Sequence, residues 1–68
     1  MKLSARNKLP GIVDSIRSDG LSAKVGLRVG DNHIVAMVTS EAVEELGLKV
    51  GDAVTAVIKS TSVMLAKD

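Results

Sequence analysis

The clearest pattern in the chain is the alternation of apolar and polar residues in the segment LSAKVGLRV, residues 21–29. Every second position from Leu21 to Val29 is apolar, whereas the positions between them are polar, charged or glycine. Successive side chains of a β-strand point to opposite faces of the sheet. The alternation therefore predicts a strand with one face in the core and one face in solvent.

Two further strands are predicted on either side of this segment. The preceding stretch LPGIVDSIRSDG alternates more loosely and ends in a turn signal. It predicts a long first strand with a bend or bulge near Pro10 and Gly11. After the turn sequence GDN, the stretch HIVAMVT is apolar at positions that fall on both faces of a strand. Such a strand indicates a barrel or a subunit interface.

The segment SEAVEELGLKVGD breaks the two-residue period and predicts a short helix. Val43 and Leu46 are three residues apart, and glutamates occupy positions around them. Thr39 or Ser40 is the expected N-cap, with acidic residues near the positive end of the helix dipole. Gly47 is expected to end the helix in a left-handed conformation.

The last segment, AVTAVIKSTSVMLA, predicts two more strands, Ala53–Ile58 and residues 62–66, joined around KST. Five strands with a short helix between the third and fourth is the element order of a small Greek-key barrel of the OB type. The predicted fold class is therefore all-β, an OB-like five-stranded barrel with one short helix, formed by residues 1–68 as a single domain.

Composition points to self-assembly. A chain of 68 residues buries only about 60% of its unfolded surface, and small domains usually need disulfides, a metal or a partner. This chain has no cysteine and a single histidine, so disulfides and a thiolate metal site are excluded. The residues are 46% hydrophobic, yet none is aromatic. Because small aliphatic side chains make thin cores, we expect subunits that share one.

Charge and hydropathy indicate where the protein is located and which classes of partner it lacks. Nine basic residues against eight acidic ones give a net charge of +1, which argues against a nucleic-acid or membrane partner. The sequence has no apolar run long enough to span a bilayer, and MKLSARNK lacks the apolar core of a secretory signal. We therefore expect a cytoplasmic protein.

Catalytic patterns are missing from the sequence. It contains no Ser/His/Asp set, no cysteine nucleophile and no glycine-rich phosphate loop. His33 is expected to be a solvated or interface histidine, and we predict that the protein is not an enzyme. OB barrels often bind single-stranded nucleic acid by stacking bases on aromatic side chains, and this chain has none.

Two polar segments combine the requirements of an anion site, which are donors, positive charge and open backbone amides. SARN at residues 4–7 offers a hydroxyl, a guanidinium and a side-chain amide, and KSTS at residues 59–62 offers an ammonium and three hydroxyls. Neither segment contains an acid. Each alone also fits an ordinary solvated strand start or polar turn, so both interpretations stay open from the residues.

Three segments resemble the molybdenum-pterin-binding proteins, also called molbindins or Mop domains. They are SARN near the start, VTSEAVEELGL in the middle and VIKSTSVML at the end, and the resemblance extends over essentially the whole chain. It implies an OB-like barrel that assembles as a homo-hexamer, a trimer of dimers. It also implies that molybdate or tungstate binds at subunit interfaces, for molybdenum storage and homeostasis.

The resemblance also implies which residues form the oxyanion site. One wall would come from SARN and the other from Lys59 and Ser60 of a neighbouring subunit, with Thr39 contributing from the helix start. At Ala42 the family often has serine, so only a backbone N–H could serve there. Because a pterin would need aromatic stacking partners, we expect the free oxyanion. The implied site residues are Ser4, Ala5, Arg6, Asn7, Thr39, Ala42, Lys59 and Ser60.

Two other functions compete with this one. The segment LGLKVGDAV also resembles a turn of the swapped-hairpin DNA-binding regulators, which need basic residues clustered on one face, whereas here they are spread along the sequence. The other alternative is a purely structural assembly domain whose polar turns only close the barrel.

Overall fold

A computed structural model describes residues 7–68 of the chain. Four strands, one α-helix and one 3₁₀ turn follow one another along the sequence. They are β1 (Asn7–Ser18), β2 (Ser22–Val29), β3 (Asn32–Thr39), α1 (Ser40–Leu46), β4 (Ala53–Ile58) and the 3₁₀ turn Ser60–Ser62. No helix within residues 7–68 has the length and apolar character needed to cross a membrane.

The four strands form one antiparallel sheet in the order β3-β2-β1-β4. β1 is long enough to serve two neighbours: its first half pairs with β4 and its second half with β2, and Ile12 is in register with both Arg28 and Ala53. Gly11 lies at this change of partner, where a Cβ atom would come within 2.8 Å of the Arg28 carbonyl oxygen. The glycine therefore lets β1 pass close to the end of β2.

The bulge in β1 lies further along than the sequence predicts. The register shifts between Val13 and Ser15, so Asp14 is the extra residue, whereas the expected position was near Pro10 and Gly11. Pro10 instead stays in register with Thr55, in the part of β1 that has β4 as its one partner in the described sheet. A proline is tolerated there because only one edge of the strand needs its donors.

The core lies on the inner face of the sheet. Val13 of β1 and Val25 and Leu27 of β2 are buried, with Val13 only 1% exposed. The alternation of β2 places these side chains on one face, as the sequence predicts. Partly buried aliphatic side chains from the surrounding elements pack against this cluster: Ile16, Val29, Ile34, Val38, Val43, Leu48, Val54 and Ala56.

The short helix forms as predicted, and its ends have the expected caps. The Thr39 hydroxyl oxygen accepts a hydrogen bond from the Ala42 N–H at 3.0 Å, so Thr39 rather than Ser40 is the N-cap. Gly47 ends the helix with φ 62° and ψ 36°, a left-handed conformation. The Leu48 N–H then donates to the Val43 carbonyl at 3.1 Å, which closes the helix end and brings Leu48 back to the core.

The expected fifth strand at residues 62–66 is not formed. The chain enters the 3₁₀ turn Ser60–Ser62 after β4, and residues 63–68 have no regular secondary structure. Met64 is 91% exposed and Leu65 is 95% exposed, so neither side chain packs on the described part of the subunit. A strand needs a hydrogen-bonding partner, and within residues 7–68 this segment has none. Residues 7–68 therefore contain four strands instead of the five predicted.

Candidate functional site

Of the N-terminal motif SARN, Asn7 lies next to the last strand. The motif's first three residues, Ser4, Ala5 and Arg6, are outside the described residues, and Asn7 begins β1. Asn7 is in register with Ile58, and its side-chain amide donates to the Ile58 carbonyl oxygen at 3.3 Å. This contact fixes the position of Asn7 beside the residue that immediately precedes Lys59.

Lys59 and Ser60 lie at the turn after β4. Lys59 is extended, with φ −65° and ψ 139°, and its carbonyl oxygen accepts the Ser62 N–H at 2.9 Å. Both side chains are exposed, and Lys59 forms no ion pair with a described carboxylate. The first end of the candidate site therefore consists of Asn7, Lys59 and Ser60, with a cation that is available to an anion.

Thr39 and Ala42 lie at the other end of the sheet. The Ala42 N–H is already engaged by the Thr39 hydroxyl oxygen, so it is a helix-cap donor in this structure. Because that oxygen acts as the acceptor, the Thr39 hydroxyl proton remains available to a further acceptor. Beside it, the Ser40 and Ser18 hydroxyl oxygens are 2.8 Å apart. The helix start is therefore a small cluster of hydroxyls.

A single chain does not bring the two ends together. Asn7 is the first residue of β1, whereas Ser18, which contacts the helix start, is its last. At about 3.3 Å per residue, an extended strand of this length spans roughly 35 Å. A tetraoxo anion cannot contact Asn7 and Thr39 of the same subunit.

Two features of the outer sheet face were not foreseen from the sequence. His33 of β3 and Asp14 of β1 meet across the intervening β2, with the His33 Nε2 atom 3.2 Å from the carboxylate. They meet above Gly26, where a Cβ atom would lie 2.6 Å from the Asp14 oxygen. Gly26, a glycine among the polar residues of β2, was the sequence feature that could have indicated this contact. Because no third His, Cys, Asp or Glu of residues 7–68 joins them, they do not form a metal-ligand cluster.

The second unforeseen feature is a grouping of basic residues. Arg17 is directly opposite Lys24 across β1 and β2, and Arg28 follows on the same face of β2. These cations are separated in the sequence but share one face of the sheet, because cross-strand partners and residues four apart in a strand point the same way.

The comparisons with known proteins identify the family. The TOBE domain model matches residues 3–65. The chain is 46% identical over 66 residues to molybdenum-pterin-binding protein 1 of Clostridium pasteurianum, covering 96% of this chain and 97% of that protein.

Solved structures agree in fold over nearly the whole chain. A molybdate-binding protein from Sporomusa ovata superposes with a TM-score of 0.94 at 37% identity, covering 98% of this chain and 100% of that one. The cytoplasmic molybdate-binding protein ModG, with molybdate bound, gives a TM-score of 0.82 at 48% identity over 88% of this chain and 43% of that one. These matches confirm the predicted fold class and the resemblance carried by SARN, VTSEAVEELGL and VIKSTSVML. The chain belongs to the molybdenum-pterin-binding proteins of the TOBE-domain family.

Proposed function

We propose that this protein binds molybdate, and tungstate in the same way, for intracellular molybdenum storage and homeostasis. The observation that carries the proposal is the pairing of Asn7 with Ile58, the residue that precedes Lys59 and Ser60, because it brings a lysine without a described acidic partner close to several donors. The relatives named for molybdenum or molybdate match nearly the whole chain, which supports molybdate as the anion.

The chemistry of these residues suits a fully deprotonated dianion. A guanidinium at Arg6 and an ammonium at Lys59 supply charge, and the hydroxyls of Ser4, Ser60 and Thr39 supply neutral donors. Hydrogen bonds to charged groups contribute roughly 1.5–3 kcal/mol, against about 1 kcal/mol for neutral ones. Arg6 and Lys59 are therefore proposed to supply most of the binding free energy.

The same donor set gives selectivity against phosphate. Neither SARN nor KSTS contains Asp or Glu, so nearly every group that faces the anion donates. Phosphate near neutral pH carries a proton that needs an acceptor, and a buried donor without one costs roughly 1–3 kcal/mol. Sulfate carries no proton and is instead rejected by its smaller size, because two rigid walls hold their donors too far apart for it.

The site is proposed to lie between subunits of a homo-hexamer, a trimer of dimers. Asn7 and Thr39 are at opposite ends of β1, so a neighbouring subunit has to bring the second group of donors to the first. In the described sheet, β3 and β4 are the outer strands, and both flank an apolar cavity. The exposed segment Val63, Met64 and Leu65 is proposed to cover apolar surface of another copy.

Further properties follow from this proposal. The chain is one Mop module, residues 1–68. It acts in the cytoplasm as a binding protein and not as an enzyme, and it has no nucleic-acid or membrane partner. No pterin is bound, because the chain lacks aromatic residues that would stack on its ring.

Calorimetry with molybdate tests the site residues. Lys59→Ala and Arg6→Ala should each weaken binding by about tenfold to a hundredfold, the equivalent of one charged hydrogen bond. Asn7→Ala should weaken it less, because the amide carries no charge. Lys67→Ala is the matched control, an exposed lysine outside the proposed site, and should bind like the parent. Equal losses for Arg6→Ala and Lys67→Ala would show that general charge, and not a site, attracts the anion.

A mixing experiment tests whether Thr39 and Lys59 of one site come from different subunits. Thr39→Ala and Lys59→Ala variants, each weak on its own, should regain a fraction of full-affinity sites when their subunits exchange. No recovery after proven exchange would mean that each site takes all its residues from one chain.

A further inference from the structure

The outer face of the sheet carries two positive charges in direct opposition. Arg17 on β1 and Lys24 on β2 are a cross-strand pair, and like charges at such positions are destabilising. Among residues 7–68 the one ion pair is His33 with Asp14, so no described carboxylate neutralises either cation at salt-bridge distance. A bound anion between Arg17 and Lys24 would remove this repulsion.

A cavity of about 230 Å³ lies beside these two side chains. Its walls are Ser15, Arg17, Lys24, Gly26, His33 and Val35. At about 30 Å³ per water molecule, this volume holds a tetrahedral anion together with some hydrating water. The cavity therefore combines two cations with room for a small dianion.

The fold places a hydroxyl at the floor of this cavity. The bulge between Val13 and Ser15 turns Ser15 toward Gly26, where a Cβ atom would lie only 2.5 Å from the Ser15 hydroxyl oxygen. Because Gly26 has no side chain, the floor of the cavity stays open and the Ser15 hydroxyl faces into the cavity. This hydroxyl can either donate a hydrogen bond to an anion or accept one from a P–OH group.

The other charged groups on this face leave the cavity positive. The Asp14 carboxylate adjoins Gly26, with its Oδ1 atom 2.6 Å from the position of a Cβ there, and it is engaged by the His33 Nε2 atom at 3.2 Å. Arg28 lies on the same face, opposite His33, and adds positive charge without lining the cavity.

We propose that this cavity is a second anion site, specific for phosphate or a phosphate monoester held between Arg17 and Lys24. It goes beyond the proposed molybdate site and uses none of its residues. The difference in chemistry is a carboxylate acceptor: the Asp14 Oδ1 atom lies beside the Ser15 hydroxyl at Gly26 and can accept a hydrogen bond from hydrogen phosphate, whereas SARN and KSTS contain no acid. The two sites should therefore prefer different oxyanions.

The test is a titration of the assembled, molybdate-saturated protein with inorganic phosphate at constant ionic strength, followed by amide NMR. The Gly26 and Ser15 amide signals should shift in a saturable way. Lys24→Gln and Arg17→Gln should each weaken phosphate binding by at least tenfold and leave the molybdate affinity within twofold. Arg28→Gln is the matched control on the same face and should bind phosphate within twofold of the parent.

Three results would overturn the proposal. The first is a shift that sodium chloride reproduces at equal ionic strength, which would indicate general screening. The second is an equal loss for Lys24→Gln and Arg28→Gln. The third is binding of duplex DNA to this face without saturable binding of phosphate, which would indicate a diffuse polyanion surface. Because molybdate is measured separately on every variant, failure of this site is distinguishable from failure of the proposed molybdate site.

Discussion

The sheet has a closed side and an open side, and the two are built from similar aliphatic residues. On the closed side, β1 and β2 bury Val13, Val25 and Leu27 against neighbouring elements. On the open side, apolar residues of the outer strands β3 and β4 line a cavity that reaches these core residues, and Met64 and Leu65 are almost fully exposed. The side chains at the centre of the sheet are buried within one chain, whereas its outer strands and residues 64 and 65 leave apolar surface that one chain does not cover.

This difference shows that a short chain without aromatic residues obtains its stability from two sources, the fold of the subunit and the contacts between subunits. Local pairing and a small aliphatic cluster give the subunit its fold, and we infer that assembly gives the rest. The proposed molybdate site follows the same division: Asn7 pairs with Ile58, next to Lys59, within the chain, and we infer that Thr39 comes from another subunit. Folding, assembly and anion binding are therefore expected to depend on one another.

The largest effect is expected from making the open side polar. The double substitution Met64→Asp and Leu65→Asp should break the assembly, because burying one such side chain contributes about 1.5–3 kcal/mol and every copy would lose two. Sedimentation velocity at micromolar concentration should show smaller species. Lys67→Glu, in the same segment, is the control for added negative charge. A double variant that sediments like the parent would show that residues 64 and 65 take no part in assembly.

The next largest effect is expected in the closed core. Leu27→Ala should lower the free energy of unfolding by about 2–5 kcal/mol, through lost burial and the cavity that remains. Leu21→Ala removes the same atoms from a side chain that is 90% exposed, and should change stability by less than about 0.5 kcal/mol. Urea unfolding of both variants checks the contrast. Similar losses would mean that Leu21 is as well covered in the assembly as Leu27 is in the subunit.

The two glycines in the strands should differ from each other. Gly11→Ala pushes against the Arg28 backbone oxygen, which cannot move without shifting β2, and should cost about 1–3 kcal/mol. Gly26→Ala meets only the ends of the Ser15, Asp14 and His33 side chains, which can rotate away. It should cost less, mainly through the lost Asp14–His33 contact. A lower urea midpoint for Gly26→Ala than for Gly11→Ala would contradict the claim that backbone atoms crowd residue 11 and movable side chains crowd residue 26.

The smallest effect is expected at the helix cap. Thr39→Ala removes the acceptor for the Ala42 N–H and should cost about 1 kcal/mol, a shift of roughly 4–8 °C in the melting temperature. Thr39→Ser keeps the hydroxyl and should restore most of the loss. If Thr39→Ser melts like Thr39→Ala, the hydroxyl is not what stabilises the helix.

Local features were predictable from the sequence because their causes are local. The alternation around Val25 and Leu27 gives the buried face of β2, and Thr39 and Gly47 give the helix ends through their own side-chain and backbone chemistry. The family motifs are short continuous stretches, so they were also recognisable in the sequence. The family that they indicate is confirmed by the matching domain model and relatives.

Features that depend on a partner were not predictable in the same way. Residues 62–66 have a strand-like composition, but one chain gives them no partner to pair with. The bulge at Asp14 and the contact between Asp14 and His33 depend on the register of three strands. The sequence does not reveal this register, and Gly26 is its one visible sign of the contact. Likewise, Arg17 and Lys24 are seven residues apart, and only the β1–β2 register makes them neighbours.

The most direct test of the central claim, that molybdate binds where subunits meet, is native mass spectrometry of the protein with and without molybdate. It counts subunits and anions in the same species. We predict hexamers that carry whole numbers of molybdate ions, while any monomers in the same spectrum carry none. Molybdate retained on monomers, or hexamers that bind no molybdate at saturating concentration, would contradict the account.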